Sequence, residues 1–373
     1  MNEYFARCVA GSGTTVLGSG TSGAPWYCEN GRILFQHLLD NGLVDTQHSR
    51  WHLSGQENWT WDTTALSIPA SYADSDGSDQ SIFITLWEDD GYDLYTSPAG
   101  RVMKVVRIGD YAGTTHMIPV DLRFTRWDRV CFQNWGDESL FGNGNDNWFQ
   151  DCVLLPNISG DHPIFEVALE RAEGCVFNGA NITSFTSTTD SVGMVSDTSS
   201  IVIGCEFHNF TGAASSNLFA GSSAIRGISD CLFANCGSRV MYGDTDEFHI
   251  TRCTFFNCTG TDVIYVGASA NTETQIINNN LFVNCNTTNS PIDFGSDDAG
   301  RAVASISKNA LWNSTALDSY TNVGIDRDND VLTSMPLVAP YAGDFRVRGD
   351  AEIYDGDKHV CAGYTQAVVA PNT

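Results

Sequence analysis

Between residues 127 and 313 the chain repeats one arrangement of apolar and polar positions eight times. An apolar residue is followed three places on by Cys or Asn, two further by Phe or Leu, and two further, in most copies, by Asn. The clearest copies are Val202-Cys205-Phe207-Asn209, Ile228-Cys231-Phe233-Asn235, Ile250-Cys253-Phe255-Asn257, Ile277-Asn280-Phe282-Asn284 and Ile306-Asn309-Leu311-Asn313. Looser ones start at Trp127, Phe149 and Ala172. The third position falls at 132, 154, 177, 207, 233, 255, 282 and 311, so the step runs from 22 to 30 residues. Within a copy the large residues alternate with smaller or polar ones, which is strand periodicity. Between copies lie Gly, Ser, Thr, Asn and Asp, which favour turns over helix interiors. Short strands returning at one spacing predict stacked coils, each burying its apolar face against its neighbours. Like residues then lie over one another at about 4.8 Å per rung, Phe on Phe and Asn on Asn. Asn at the tight turn tolerates the left-handed conformation and can bond its amide up and down the stack.

Upstream the pattern changes. Ile33, Leu34, Phe35, Leu38 and Leu39 fall at helical spacing before Gly42, predicting a short amphipathic helix that covers the open end of the first coil. Strand-like runs occupy 81–87 and 102–108, with acidic loops before and between them. The chain divides into a cap with its helix (1–55), irregular early rungs with loops (56–120), regular rungs (121–315) and a closing segment (316–373).

Three stretches resemble the right-handed parallel β-helix proteins of the pectate-lyase-like superfamily: the opening Gly18, Gly20, Gly23, Ala24, Pro25, Trp26 before a helix; the rungs 228–236 and 250–258; and an ending with Pro336, Gly343–Val347 and Gly363–Gln366. The resemblance implies an all-β, right-handed parallel β-helix with a capping helix and a C-terminal closure. It is weak for function, because this fold carries lyases, hydrolases, epimerases, viral spikes and binding proteins.

Composition narrows the functions. With 19 Lys and Arg against 45 Asp and Glu the formal charge is −26, which disfavours nucleic acid. It also disfavours polyanionic sugars, unless arginines are concentrated in one groove. No apolar run of roughly 18 residues suggests a membrane span, and Met1–Phe5 lacks the features of a secretory leader. The cysteines at 152, 175, 205, 231 and 253, and at 236, 258 and 285, form two columns and read as reduced core thiols.

No lyase or polygalacturonase motif set is present. The candidate catalytic carboxylates are Asp244, Asp246 and Glu247 on one loop and Asp297 and Asp298 on another, with Asp293, Asp190 and Asp197 as further members; a solvated acidic loop is the preferred account of them. No cofactor is expected. Calcium is the one candidate, because Asp326, Asp328 and Asp330 match the first half of a calcium loop; Val331 stands where that loop needs Gly. His48 and His52 read as surface or cap residues, and the tryptophans of the first half as core or interface.

The first expectation is a phage virion protein, a spike, tailspike or capsid decoration at the virion surface. It would be a homo-oligomer, trimeric by preference, meeting other virion proteins and a host surface polysaccharide. The alternatives are a polysaccharide lyase or glycoside hydrolase of the same fold, and an extracellular carbohydrate-binding adhesin.

Overall fold

The computed structural model describes residues 1–42, 48–61, 66–67, 82–111, 117–118, 125–135, 140, 147–156, 169–182, 191–195, 200–211, 217–221, 225–237, 239–243, 248–266, 274–293, 303–317 and 330–348. They form a parallel β-helix with three faces. The first face stacks strands from Asn2–Cys8 and Ser49–Leu53 down to Val303–Ser307. The second runs from Trp59–Thr60 and Val102–Tyr111 down to Asp330–Val331, and the third from Ser191–Val195 to Ile292–Asp293. Because Asn2–Cys8 already pairs with Ser49–Leu53, the first face begins inside the segment read as a cap.

One residue turns the chain from the first face to the second. Arg129, Asp151, Gly174, Gly204, Asp230, Arg252, Asn279 and Lys308 occupy this corner in successive rungs, all at positive φ between 49° and 62°. A left-handed L-residue costs about 1–2 kcal/mol, which hydrogen bonds between rungs offset: the corner N–H of Arg129 donates to Gln150 at 3.0 Å and that of Asp151 to Glu173 at 2.9 Å. At Gly174 the missing Cβ is needed. One built there lies 2.5 Å from Asp151 Oδ1 and 3.1 Å from Arg101.

The bore follows the repeat. Phe177, Phe207, Phe233, Phe255 and Phe282 stack at 4.6–5.0 Å with their planes within 11°. Asn209, Asn235, Asn257, Asn284 and Asn313 all take positive φ at the next turn. Their amides form the expected ladder, as in Asn257 to Asn235 at 2.9 Å and Asn313 to Asn284 at 2.7 Å.

The cysteine columns have a definite job. Four thiols of the first column reach a backbone carbonyl of the preceding rung: Cys152 to Trp127 at 3.3 Å, Cys205 to Ala172 at 3.5 Å, and Cys231 to Val202 and Cys253 to Ile228, each at 3.7 Å. Where the column changes residue, Asn280 and Asn309 make the same contact more strongly, to Ile250 at 2.9 Å and Ile277 at 2.8 Å. In the second column Ser314 continues Cys236, Cys258 and Cys285 in the same way. The eleven cysteines among the described residues are free and buried. Burial pushes the thiols of Cys152, Cys175 and Cys231 well above the ordinary range.

Helix α1 (Gly31–Gly42) forms where its apolar spacing predicts. It buries Leu34, Phe35, Leu38 and Leu39 completely, and Phe35 meets Trp51, Trp61 and Trp127 at 5.3–5.9 Å. The outer side of the second face is covered twice. A hairpin of Asp93–Thr96 and Val102–Tyr111 packs Tyr95, Met103 and Val105 on Cys131, Val153 and Val176. The antiparallel pair Leu337–Ala339 and Asp344–Val347 places Leu337 and Phe345 over Leu232, Phe256 and Leu281. Among the described residues no helix is long and apolar enough to cross a membrane.

The column chemistry predicts a ranking of variants. Asn280→Ala leaves the Ile250 carbonyl and the Cys253 N–H without their partner and is expected to cost about 1–3 kcal/mol. Asn280→Cys restores the neighbouring arrangement and should lose clearly less. Denaturant unfolding of both variants checks this; equal losses would contradict it.

Candidate functional site

Outward positions on the first face stack as strictly as the bore does. Strand register places Glu3, Arg50, Phe83, Arg126, Trp148 and Arg171 in one column. Phe5, His52, Thr85, Asp128, Gln150 and Glu173 form the column beside it. Over five rungs the first column alternates cation and aromatic ring. The Arg50 guanidinium lies 5.9 Å from the Phe83 centroid; Trp148 takes Arg126 at 4.0 Å and Arg171 at 5.1 Å. Alternation avoids setting like charges one rung apart, about 4.8 Å, and a ring beside a guanidinium contributes about 0.5–2 kcal/mol.

A cavity of about 350 Å³ opens over these columns, lined by Arg50, His52, Phe83, Ile84, Thr85, Leu86, Arg126, Asp128 and Arg129. Three arginines face one carboxylate there. Asp128 accepts from Thr85 Oγ1 at 2.7 Å and from Arg129 Nε at 3.3 Å. Arg50 pairs loosely with Glu3 at 3.9 Å, and Arg171 pairs with Glu173. Arg126 donates to Gln150 and makes no ion pair with a described carboxylate. It is the ladder arginine best placed to receive an anion.

His52 completes the cavity. Its ring stacks on Phe5 at 4.4 Å, and its Nε2 is buried without a hydrogen-bond partner. Burial first, and Arg50 in addition, holds the imidazole below its ordinary range against the pull of Glu3. It is therefore a neutral base at neutral pH.

Around the corner a second cavity of about 530 Å³ shares Arg129 with the first. Glu88 ties the two together, accepting from Arg129 at 2.8 Å and from Lys104. These bonds hold its carboxyl below the usual range, Lys104 contributing most. Arg101 reaches Asp151 and the Gly174 carbonyl, each at 2.6 Å.

Asp244, Asp246, Glu247, Asp297, Asp298, Asp190 and Asp197 lie outside the described residues. So do Asp326 and Asp328; Asp330 opens the strand Asp330–Val331, and its side chain lies outside too. Asp293 is described. On the third face it follows the stacked Tyr242 and Tyr265 in register and accepts from Asn289 at 2.9 Å. Arg239 lies over both tyrosines, fixed by the buried Asp262 at 2.8 Å. Among the described residues no three or more His, Cys, Asp and Glu gather as a metal site would need. Sequence reasoning missed the first-face ladder and His52. Their one signal was that Arg50 and His52, Arg126 and Asp128, and Arg171 and Glu173 stand two apart in strands, with Trp51, Trp127 and Ala172 between them.

No family model matches the chain, and no curated protein matches it. Among solved structures it is similar to one described as a new PL6 alginate lyase complex with trisaccharide, with 10% identity and a TM-score of 0.35, over 90% of this chain and 81% of that one.

The ladder predicts coupled energetics. A double-mutant cycle on Arg126→Ala and Trp148→Ala, read by denaturant unfolding, should give a coupling of about 0.5–2 kcal/mol. Additive losses would show that the two side chains are neighbours without interacting.

Proposed function

We propose that the protein recognises an acidic polysaccharide along its first face. The observation that carries this is the Arg50–Phe83–Arg126–Trp148–Arg171 column, a run of cations and rings on a chain whose net charge is −26. Guanidinium groups suit carboxylates, which they bind through two parallel hydrogen bonds, and the rings between offer apolar area to sugar C–H faces. The rung spacing of about 4.8 Å is close to the length of one pyranose in an extended chain, so successive sugars would meet successive rungs. A spike or decoration on a phage particle would use the face in the same way, to hold host glycan.

His52 favours a second step, eliminative cleavage. A uronate whose carboxylate sits on Arg126 presents its α-proton to the groove. The His52 imidazole takes that proton and returns it to the glycosidic oxygen as the C–O bond breaks, while Arg126 holds the charge that develops on the carboxylate. A carbon–carbon double bond remains on the sugar. Hydrolysis fits less well: it uses two carboxylates roughly 5–9.5 Å apart, and among the described residues that line the cavity Asp128 is the only carboxylate.

Two measurements test the reading. In calorimetric titrations, uronate oligosaccharides should bind and neutral oligosaccharides of equal length should not, with affinity falling as salt rises. Arg126→Ala should weaken binding about tenfold or more, and equal binding of neutral sugars would overturn the assignment. For cleavage, unsaturated uronate ends should accumulate by ultraviolet absorbance and vanish in His52→Ala. Because burial lowers the His52 pKa, the acid limb of that activity should lie below the ordinary imidazole value of 6.5. Binding without unsaturated ends would leave recognition standing and remove the elimination step.

A further inference from the structure

The second cavity differs in character from the groove it adjoins. Its walls include Tyr92, Leu94 and Val102, with Arg101, Lys104, Arg129 and Asp151 as its charged groups. Eight large hydrophobic residues are exposed among those described, and three of them, Tyr92 at 43%, Leu94 at 53% and Val102 at 46%, lie here. The hairpin that carries them buries its other side, Tyr95 and Met103, on the second face. Its outward apolar side chains therefore do nothing for the coil, and leaving them in water forgoes about 25 cal/mol for each Å² they could bury.

The cavity is also held open. Lys104 lies 4.5 Å from the Tyr92 ring centroid, and Glu88 fastens Lys104 and Arg129 to one another. Because Arg129 lines both cavities, a substituent that projects sideways past it from a sugar in the groove faces that apolar surface.

From this continuity we propose that the hairpin cavity receives an O-acyl substituent, acetyl being the smallest, carried by the acidic polysaccharide bound in the groove. The proposal rests on the glycan reading above and adds the class of glycan: a uronan esterified on its hydroxyls. The carboxylate of the bound sugar meets the cations at the rim, and the acyl methyl lies against Leu94 and Val102. An unsubstituted uronan would leave that apolar wall in water.

The test compares oligogalacturonate and oligomannuronate, each as a chemically O-acetylated sample and its deacetylated twin of the same length, by calorimetric titration. The acetylated form of the sugar that binds should be favoured by about fourfold or more, the value of one methyl-sized group moved out of water. The double variant Leu94→Asp, Val102→Asp, with unfolding midpoint as the folding control, should bind both forms alike; Leu94→Ala alone should reduce the preference without placing a charge in the cavity. If the native protein binds both forms equally, or the double variant keeps the preference, the acyl pocket is wrong and the glycan groove stands. If neither form of either sugar binds, the glycan reading and the acyl pocket fail together.

Discussion

Hydrogen bonding between successive rungs is the constraint on which the rest of this molecule depends. Within the three faces each strand pairs with the strands one turn above and below, and a single left-handed residue turns the first face into the second. That corner leaves no freedom of register: a slip by one residue would turn every phenyl ring out of the bore. Side chains are therefore sorted into columns, and each column solves one repeated problem. The Phe column fills the bore. Four thiols of the first Cys column answer a backbone carbonyl at the same place in the rung, which is why Asn replaces Cys at 280 and 309, and Ser replaces Cys at 314, without a change of geometry.

The same sorting acts on the outside and creates the candidate site. A column of arginines alone would set guanidinium groups about 4.8 Å apart, and their repulsion would work against the stack. Rings at Phe83 and Trp148 separate them; Phe83 takes Arg50, and Trp148 takes an arginine on each side. On the third face Arg239 is held by another device, the buried carboxylate of Asp262 and the edge of a tyrosine pair. Both arrangements use the rung spacing to fix an arginine that would otherwise be mobile on its long stem.

Much of the fold was legible because its signal is periodic. The spacing of Cys, Phe and Asn from 202 onward announced the coil, and the apolar face of 33–39 announced the helix. The site was not legible, for the opposite reason. Arg50, Phe83, Arg126, Trp148 and Arg171 are separated by uneven insertions, so their column exists only once the register is known. His52 looked like a cap residue because its neighbours in the groove, Thr85 and Asp128, come from strands far along the chain. Overall charge pointed away from acidic sugars, with the reservation that arginines gathered in one groove would reverse the inference; the first face gathers them. The acidic loops that composition brought forward, around 244–247 and 297–298, lie outside the described residues.

The ion pairs inside the groove set what it can hold. Arg129 already serves Asp128 and Glu88, Arg171 serves Glu173, and Arg50 lies near Glu3. A lone anion meeting one of these arginines must compete with a carboxylate that is tethered nearby at high effective concentration. Only Arg126 makes no such ion pair among the described residues, and one site of that kind at the surface binds weakly. A polymer with a carboxylate on every residue is in a different position. Once Arg126 holds one carboxylate, the next are presented to Arg50 and Arg171 without further loss of translational freedom, and each exchange of an internal partner for a sugar carboxylate needs to be only slightly favourable. On the proposed reading the face would discriminate by repetition, which would let a strongly acidic protein select an acidic chain while ignoring the small anions around it.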